Sequence, residues 1–160
     1  MTPLAEQTIK RAREALGVSE GAGHNNRGKW VDVYEKFLGL IGQPWCACFV
    51  AFKIHQAAKD LGLTSRWPTD PRAANCTWLW NWAKKNGCVL SEPTYGTVVL
   101  FLRPNRLTAH HVGFCTSIAP TTNRVQILAG NTNDDGSSEG YEVAEKWETL
   151  SNLMVFVSIV

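Results

Sequence analysis

Apolar positions change their period near the middle of the chain. Over the first half they recur three and four residues apart, the spacing that lines one face of a helix. Beyond residue 97 they come in short β-branched runs broken by Pro, Asn, Arg and Thr. Four helices are predicted. Thr2-Pro3 opens the first, and Ala5, Ile9, Ala12 and Leu16 form its stripe until Gly17. Trp30, Val33, Tyr34, Phe37, Leu38 and Ile41 share a face of the second, which Gly42 ends. Pro44 opens the third, with Phe49, Val50, Ile54, Ala57 and Leu61 on its apolar face. The fourth spans 72–86 and stops at Gly87. Strands are predicted over 97–102, 112–118, 125–128, 142–147 and 154–159. Helices followed by strands predict an α+β fold, with N-terminal helices packed on an antiparallel sheet of about five strands. Neither a repeat nor a low-complexity stretch divides the chain, so residues 1–160 are expected to form one domain.

Composition agrees with a globular protein: 44% of residues are hydrophobic and 19% charged. Sixteen Lys plus Arg against fourteen Asp plus Glu leave a net charge of +2, with no block of like charge, so the electrostatic footprint of a nucleic-acid binder is missing. The tail LMVFVSIV is strand-length, and no apolar run reaches the length of a membrane span. The N-terminal segment has no apolar core of a secretory signal, which predicts synthesis in a cytoplasm and export, if any, by another route. Five cysteines are an odd number, so at least one thiol is expected to be free. No cofactor and no metal are expected, and a monomer is.

The richest segment is 43–50, Gln-Pro-Trp-Cys-Ala-Cys-Phe-Val. Pro44 sets Cys46 in the first turn of the third helix, where unpaired N–H groups and the helix dipole favour a thiolate. The same N–H groups can face an oxyanion. Cys48 stands about 200° further round, so the two thiols cannot face one cleft; the plain alternative is that both are small buried hydrophobes. On the strand at 109–115, His111, Gly113 and Cys115 share one face and His110, Val112 and Phe114 the other. The His111 face has only small residues beyond the imidazole. A helix approaching there would bring a thiol to His111, the pairing that activates a cysteine nucleophile. His110 reads as an exposed structural residue. Asn131, just beyond the 125–128 strand, is placed to orient the imidazole, although Asn after Gly commonly just makes a turn.

The ordered set PWCACFVAFKIHQA, a Trp-rich helix (Trp78, Trp80, Trp82), Gly96 to Phe101, His111-Val112-Gly113-Phe114 and Gly130-Asn131 resembles the CHAP and NlpC-type cysteine peptidoglycan hydrolases over 44–131, about half the chain. The resemblance implies a papain-like core, with Cys46 as nucleophile, His111 as base and then acid, and Asn131 as orienter. It further implies cleavage of an amide bond in the peptide part of bacterial peptidoglycan through a thioester. Such an enzyme would be a phage endolysin released through a holin or a secreted antibacterial effector, the latter matched by an immunity protein. The chain departs from the pattern at three places. Thr97 stands where many relatives have Asp, and Ala129-Gly130 offer no glutamate before Asn131. Trp45 takes the place of a Gln that donates to the oxyanion, leaving Gln43 as the candidate for that role.

Seven tryptophans are many for this length. Trp78 and Trp82 share a helical face and read as core. Trp45 and Trp80 are candidates to line a substrate groove, since flat aromatic faces suit sugars and apolar stems. Residues 131–136, with Glu142 six positions later, fit a relaxed calcium-loop template, but a strand precedes them where a helix should stand. Cys46, Cys48, His110 and His111 make a poor zinc site, because each pair diverges from its own element. The competing function is a catalytically silent wall-binding or virion structural module of the same fold.

Overall fold

The computed structural model describes residues 1–132 and 140–160. Within them α1 (Pro3–Arg13), α2 (Lys29–Phe37), α3 (Cys46–Asp60) and α4 (Cys76–Lys85) precede six strands: β1 (Val89–Leu90), β2 (Val98–Leu102), β3 (Ala109–Ala119), β4 (Arg124–Thr132), β5 (Glu142–Thr149) and β6 (Met154–Val157). The strands form one antiparallel sheet in the order β1-β6-β2-β3-β4-β5. The fold is α+β with the helices packed on the sheet, as the change of period predicts. The sheet has six strands rather than five. The addition, β1, is two residues paired to β6 and too short to show a period.

Local chemistry sets the helix ends. Thr2 Oγ1 accepts the Ala5 N–H at 3.2 Å and Pro3 follows at the first helical position, while Lys10, Arg11 and Arg13 complement the dipole in the last turn of α1. The predicted fourth helix is broken. A 3₁₀ turn covers Pro71–Ala74, Asn75 is extended, and its side chain accepts the Trp78 N–H at 3.0 Å to start α4 afresh at Cys76. Pro44 likewise stays outside α3: Trp45 is the flanking residue and Cys46 the first helical one.

α3 is the central element. Phe49, Val50, Ile54 and Ala57 are fully buried against α1, α2, β3 and β4. The helix-covered face of the sheet carries Val98, Leu100, Val112, Phe114 and Leu128, and Phe49 meets Phe114 edge-on. A smaller cluster of Val99, Cys115, Val125, Ile127 and Ala129, flanked by Phe101, Met154 and Phe156, occupies the other face. Among the described residues no helix is long and apolar enough to cross a membrane.

Candidate active site

The chain reaches Cys46 through a clamped loop. Glu35 is fully buried on α2, and its Oε2 accepts the Gly42 N–H at 2.7 Å. Gly42 has φ +68°, a left-handed conformation that a side chain would strain. Burial pushes the Glu35 carboxyl up from its ordinary pKa, while the Gly42 and Gln43 N–H groups pull it back. Trp45 is wholly buried; its Nε1–H donates to Oε1 of Glu20, itself buried, at 2.9 Å. With the loop held at both points, Cys46 enters the first turn of α3, where backbone N–H groups have no helical acceptor.

Three groups surround the Cys46 thiol. The Cys76 sulfur lies 4.0 Å away, and His111 and the Val112 N–H stand beside it. Together, Cys76 foremost, they hold the thiol well below its ordinary pKa against the opposing effect of burial. The Cys76 thiol is pushed up in turn, chiefly by Cys46. Burial pushes Cys48, on the same helix, up to about 12. The two cysteines of the Cys46-Ala47-Cys48 segment are thus chemically opposite. His111 is 5% exposed, and neither ring nitrogen is hydrogen-bonded to a described residue.

The meeting of Cys46 with His111 does not follow the expected route. α3 packs on the Val112 and Phe114 side of β3, not on the face of Gly113 and Cys115. What requires a small residue at Gly113 is β4: a Cβ there would stand 2.8 Å from Ile127 Cγ2 and 2.9 Å from Ala129 Cβ. His111 pairs with Phe101 across β2, their rings 5.6 Å apart, and the β2–β3 register shifts beside it. The β3–β4 ladder runs only from Ala119–Arg124 to Phe114–Leu128. The N-terminus of α3 arrives beyond that end, where the Val112 N–H is turned toward sulfur.

Asn131 is buried at φ +56°, at an irregular step in the β4–β5 pairing between Ala129–Ala144 and Thr132–Glu142. Extending the β3–β4 register places it across from His111, yet it makes no hydrogen bond to the imidazole. In the calcium template, 133–136 lie outside the described residues, and Asn131 and Glu142 sit on strands.

The three predicted substrate-binding residues separate. Trp45 does not line a groove: its ring is packed among Tyr34, Phe49 and Gly130, and its polar edge is satisfied by Glu20. Gln43 is exposed and, with Leu40, Pro44, Pro71, Ala74 and Asn75, lines a groove of about 370 Å³ between the segments leading into Cys46 and Cys76. Trp80 is outside that groove, half-buried, with the Lys84 ammonium 4.2 Å from its ring. Trp78 and Trp82 are only half-buried and line another groove; the buried tryptophans are Trp45 and Trp67.

Cys76 is the residue that sequence reasoning misses. Its signal is a second cysteine at a helix start, after the Asn75 cap. Thr77 fixes its place: Thr77 Oγ1 accepts the Ala109 N–H at 3.0 Å, tying the first turn of α4 to the start of β3, two residues before His111. No family model matches the chain, and no curated protein or solved structure matches it.

Proposed function

We propose that the protein is a cysteine amidase or endopeptidase acting on the peptide part of bacterial peptidoglycan, with Cys46 as nucleophile and His111 as its acid–base partner. The observation that carries this reading is the Cys46 thiol at the start of α3, held below its ordinary pKa beside a buried imidazole whose nitrogens have no hydrogen-bond partner among the described residues. The Cys46 thiolate attacks the amide carbonyl, and the N–H groups of the first turn of α3 face the developing oxyanion. His111, having taken the Cys46 thiol proton as base, gives it to the leaving amine as a thioester forms, and then takes a proton from the water that hydrolyses the thioester and frees the thiolate. The substrate peptide lies in the groove beside Gln43. The choice of peptidoglycan rests on the ordered motif resemblance. On this reading the enzyme works in the cell wall after release through a holin or a secretion machine.

Two observations favour a silent module instead: Cys46 keeps only 4% exposure, and no described residue orients His111 by a hydrogen bond. Purified peptidoglycan decides between them. Wild type and Cys48→Ala are expected to release soluble peptide or amino groups, and Cys46→Ala and His111→Ala to release none above buffer. Equal release by wild type and Cys46→Ala overturns the enzyme reading.

A further inference from the structure

All five cysteines are free, but their thiols are not alike. Cys88 and Cys115 point toward the backbone carbonyls of Asn86 and Ser117, and Cys48 is turned away from Cys46 around α3. Cys46 and Cys76 face each other at 4.0 Å, each in the first turn of its own helix, with 4% and 7% exposure. A disulfide needs sulfurs at about 2.05 Å, so about 2 Å of approach separates this contact from a bond. An amide hydrolase needs only one of these thiols. Cys76 contributes no step to the chemistry proposed above, yet its sulfur lies against the nucleophile.

We infer that Cys46 and Cys76 form a peroxide-oxidisable pair in which Cys76 resolves oxidised Cys46 into a reversible disulfide. The burial of both sulfurs selects a small oxidant, hydrogen peroxide, over a bulky disulfide. The Cys46 thiolate attacks one peroxide oxygen; the O–O bond breaks and hydroxide leaves, giving a sulfenic acid at Cys46. The Cys76 sulfur then attacks the Cys46 sulfur, the S–O bond breaks, and water leaves with the Cys76 proton. In sum, two thiols and one peroxide become a disulfide and two waters. A dithiol reductant restores both thiols by exchange. The S–H of Cys76 facing the thiolate sets up the first step, and the closeness of the sulfurs lets the second outrun further oxidation to sulfinic acid. The pairing does not depend on the hydrolase reading; only its consequence, a reversibly blocked nucleophile, rests on that reading.

The full-length protein is treated with hydrogen peroxide, quenched, denatured and assayed for maleimide-reactive thiols, with non-reducing peptide mapping alongside. Wild type is expected to fall from five reactive thiols to three, to yield one cross-linked peptide pair containing Cys46 and Cys76, and to return to five after dithiothreitol. Cys76→Ser is expected to form no cross-link and to accumulate sulfinic acid at Cys46 faster than wild type. Retention of five thiols, a cross-link between other cysteines, or irreversible oxidation of wild-type Cys46 overturns the inference. Peptide mapping of wild type decides this even where Cys76→Ser fails to fold. Formation of the cross-link with undiminished peptidoglycan release would uphold the pairing and overturn Cys46 as the nucleophile.

Discussion

The indole of Trp45 fills the space that a side chain at residue 130 would need. A Cβ on Gly130 would stand 2.5 Å from Cζ3 and 2.8 Å from Cε3 of Trp45, and 3.1 Å from the Phe49 Cβ. The residue before Cys46 is therefore keyed into the strand that carries Asn131. Gly130→Ala is expected to destabilise the fold by about 1–3 kcal/mol, the usual cost of overpacking a core. Thermal melts of Gly130→Ala, Trp45→Leu and the double variant test this. The double variant should melt above the sum of the two single effects, because the smaller side chain makes room for the methyl group; strict additivity would show that the two sites do not press on each other.

Cys46 and Cys48 should separate by alkylation. A thiol that titrates at about 12 is only about 10⁻⁵ ionised at pH 7, and Cys48 is such a thiol. Cys115, pushed up to about 11 by burial, is nearly as inert. Cys46 is displaced the opposite way, so a larger share of it is thiolate at that pH than for an ordinary thiol. Iodoacetamide at pH 7 followed by peptide mapping should mark Cys46 well before Cys48 or Cys115. The rate at Cys46 should level off below the pH at which an ordinary thiol ionises. Equal labelling of Cys46 and Cys48 would contradict the electrostatics of the site.

The α+β class was legible because the apolar period itself changes from helical to strand-like, whereas β1 was invisible because two residues have no period. Cys46 and His111 were legible as candidates from their places at a helix start and on a strand. Their route to each other was not, because it depends on where the β3–β4 ladder stops, and that is a matter of long-range pairing. The misreading of Trp45 as a groove residue has a similar cause: its burial is decided by Gly130, far along the chain. Cys76 was hidden for a different reason. A cysteine at an apolar helix start looks like core, and only the packing of α4 against β3 gives it a sulfur neighbour.

Lys53 offers a pH-dependent check of the helical core. It is 6% exposed, its ammonium lies 5.6 Å from the Tyr34 and Phe52 rings and 5.9 Å from Phe49, and Gln56 accepts from it at 3.2 Å. Burial lowers its pKa from 10.5 to about 8, with Glu14 pulling it up and Arg11 pushing it down. Between those two values the unfolded chain binds more protons, so stability gained through this group rises with pH. Compared with Lys53→Met, the wild-type melting temperature should therefore gain as pH is raised from 8 to 10.5. A constant difference across that range would mean that the ammonium is as well solvated folded as unfolded.

Glu35 should give the opposite sign at lower pH. Its carboxyl is raised from the ordinary value of 4.5, first by burial, with Asp32 adding to the shift, while the Gly42 and Gln43 N–H groups and Arg27 oppose it. In the interval that begins at 4.5 the folded protein holds the extra proton, so stability associated with Glu35 falls as pH rises through its folded pKa. Glu35→Gln keeps an oxygen for the Gly42 N–H and removes the charge. The variant should be less favoured, or at best equal, near pH 4, and should gain on wild type as pH approaches 7. Glu35 holds the Gly42 end of the loop that Glu20 holds at Trp45, so Glu35→Ala should behave differently. It leaves the Gly42 N–H without its partner at every pH and should cost about 1–3 kcal/mol throughout. Melting curves of the three proteins at pH 4, 5.5 and 7 distinguish a burden of charge from a loss of anchoring. Parallel pH profiles for wild type and Glu35→Gln would show that Glu35 titrates as it does in water, and that it anchors the loop without electrostatic cost.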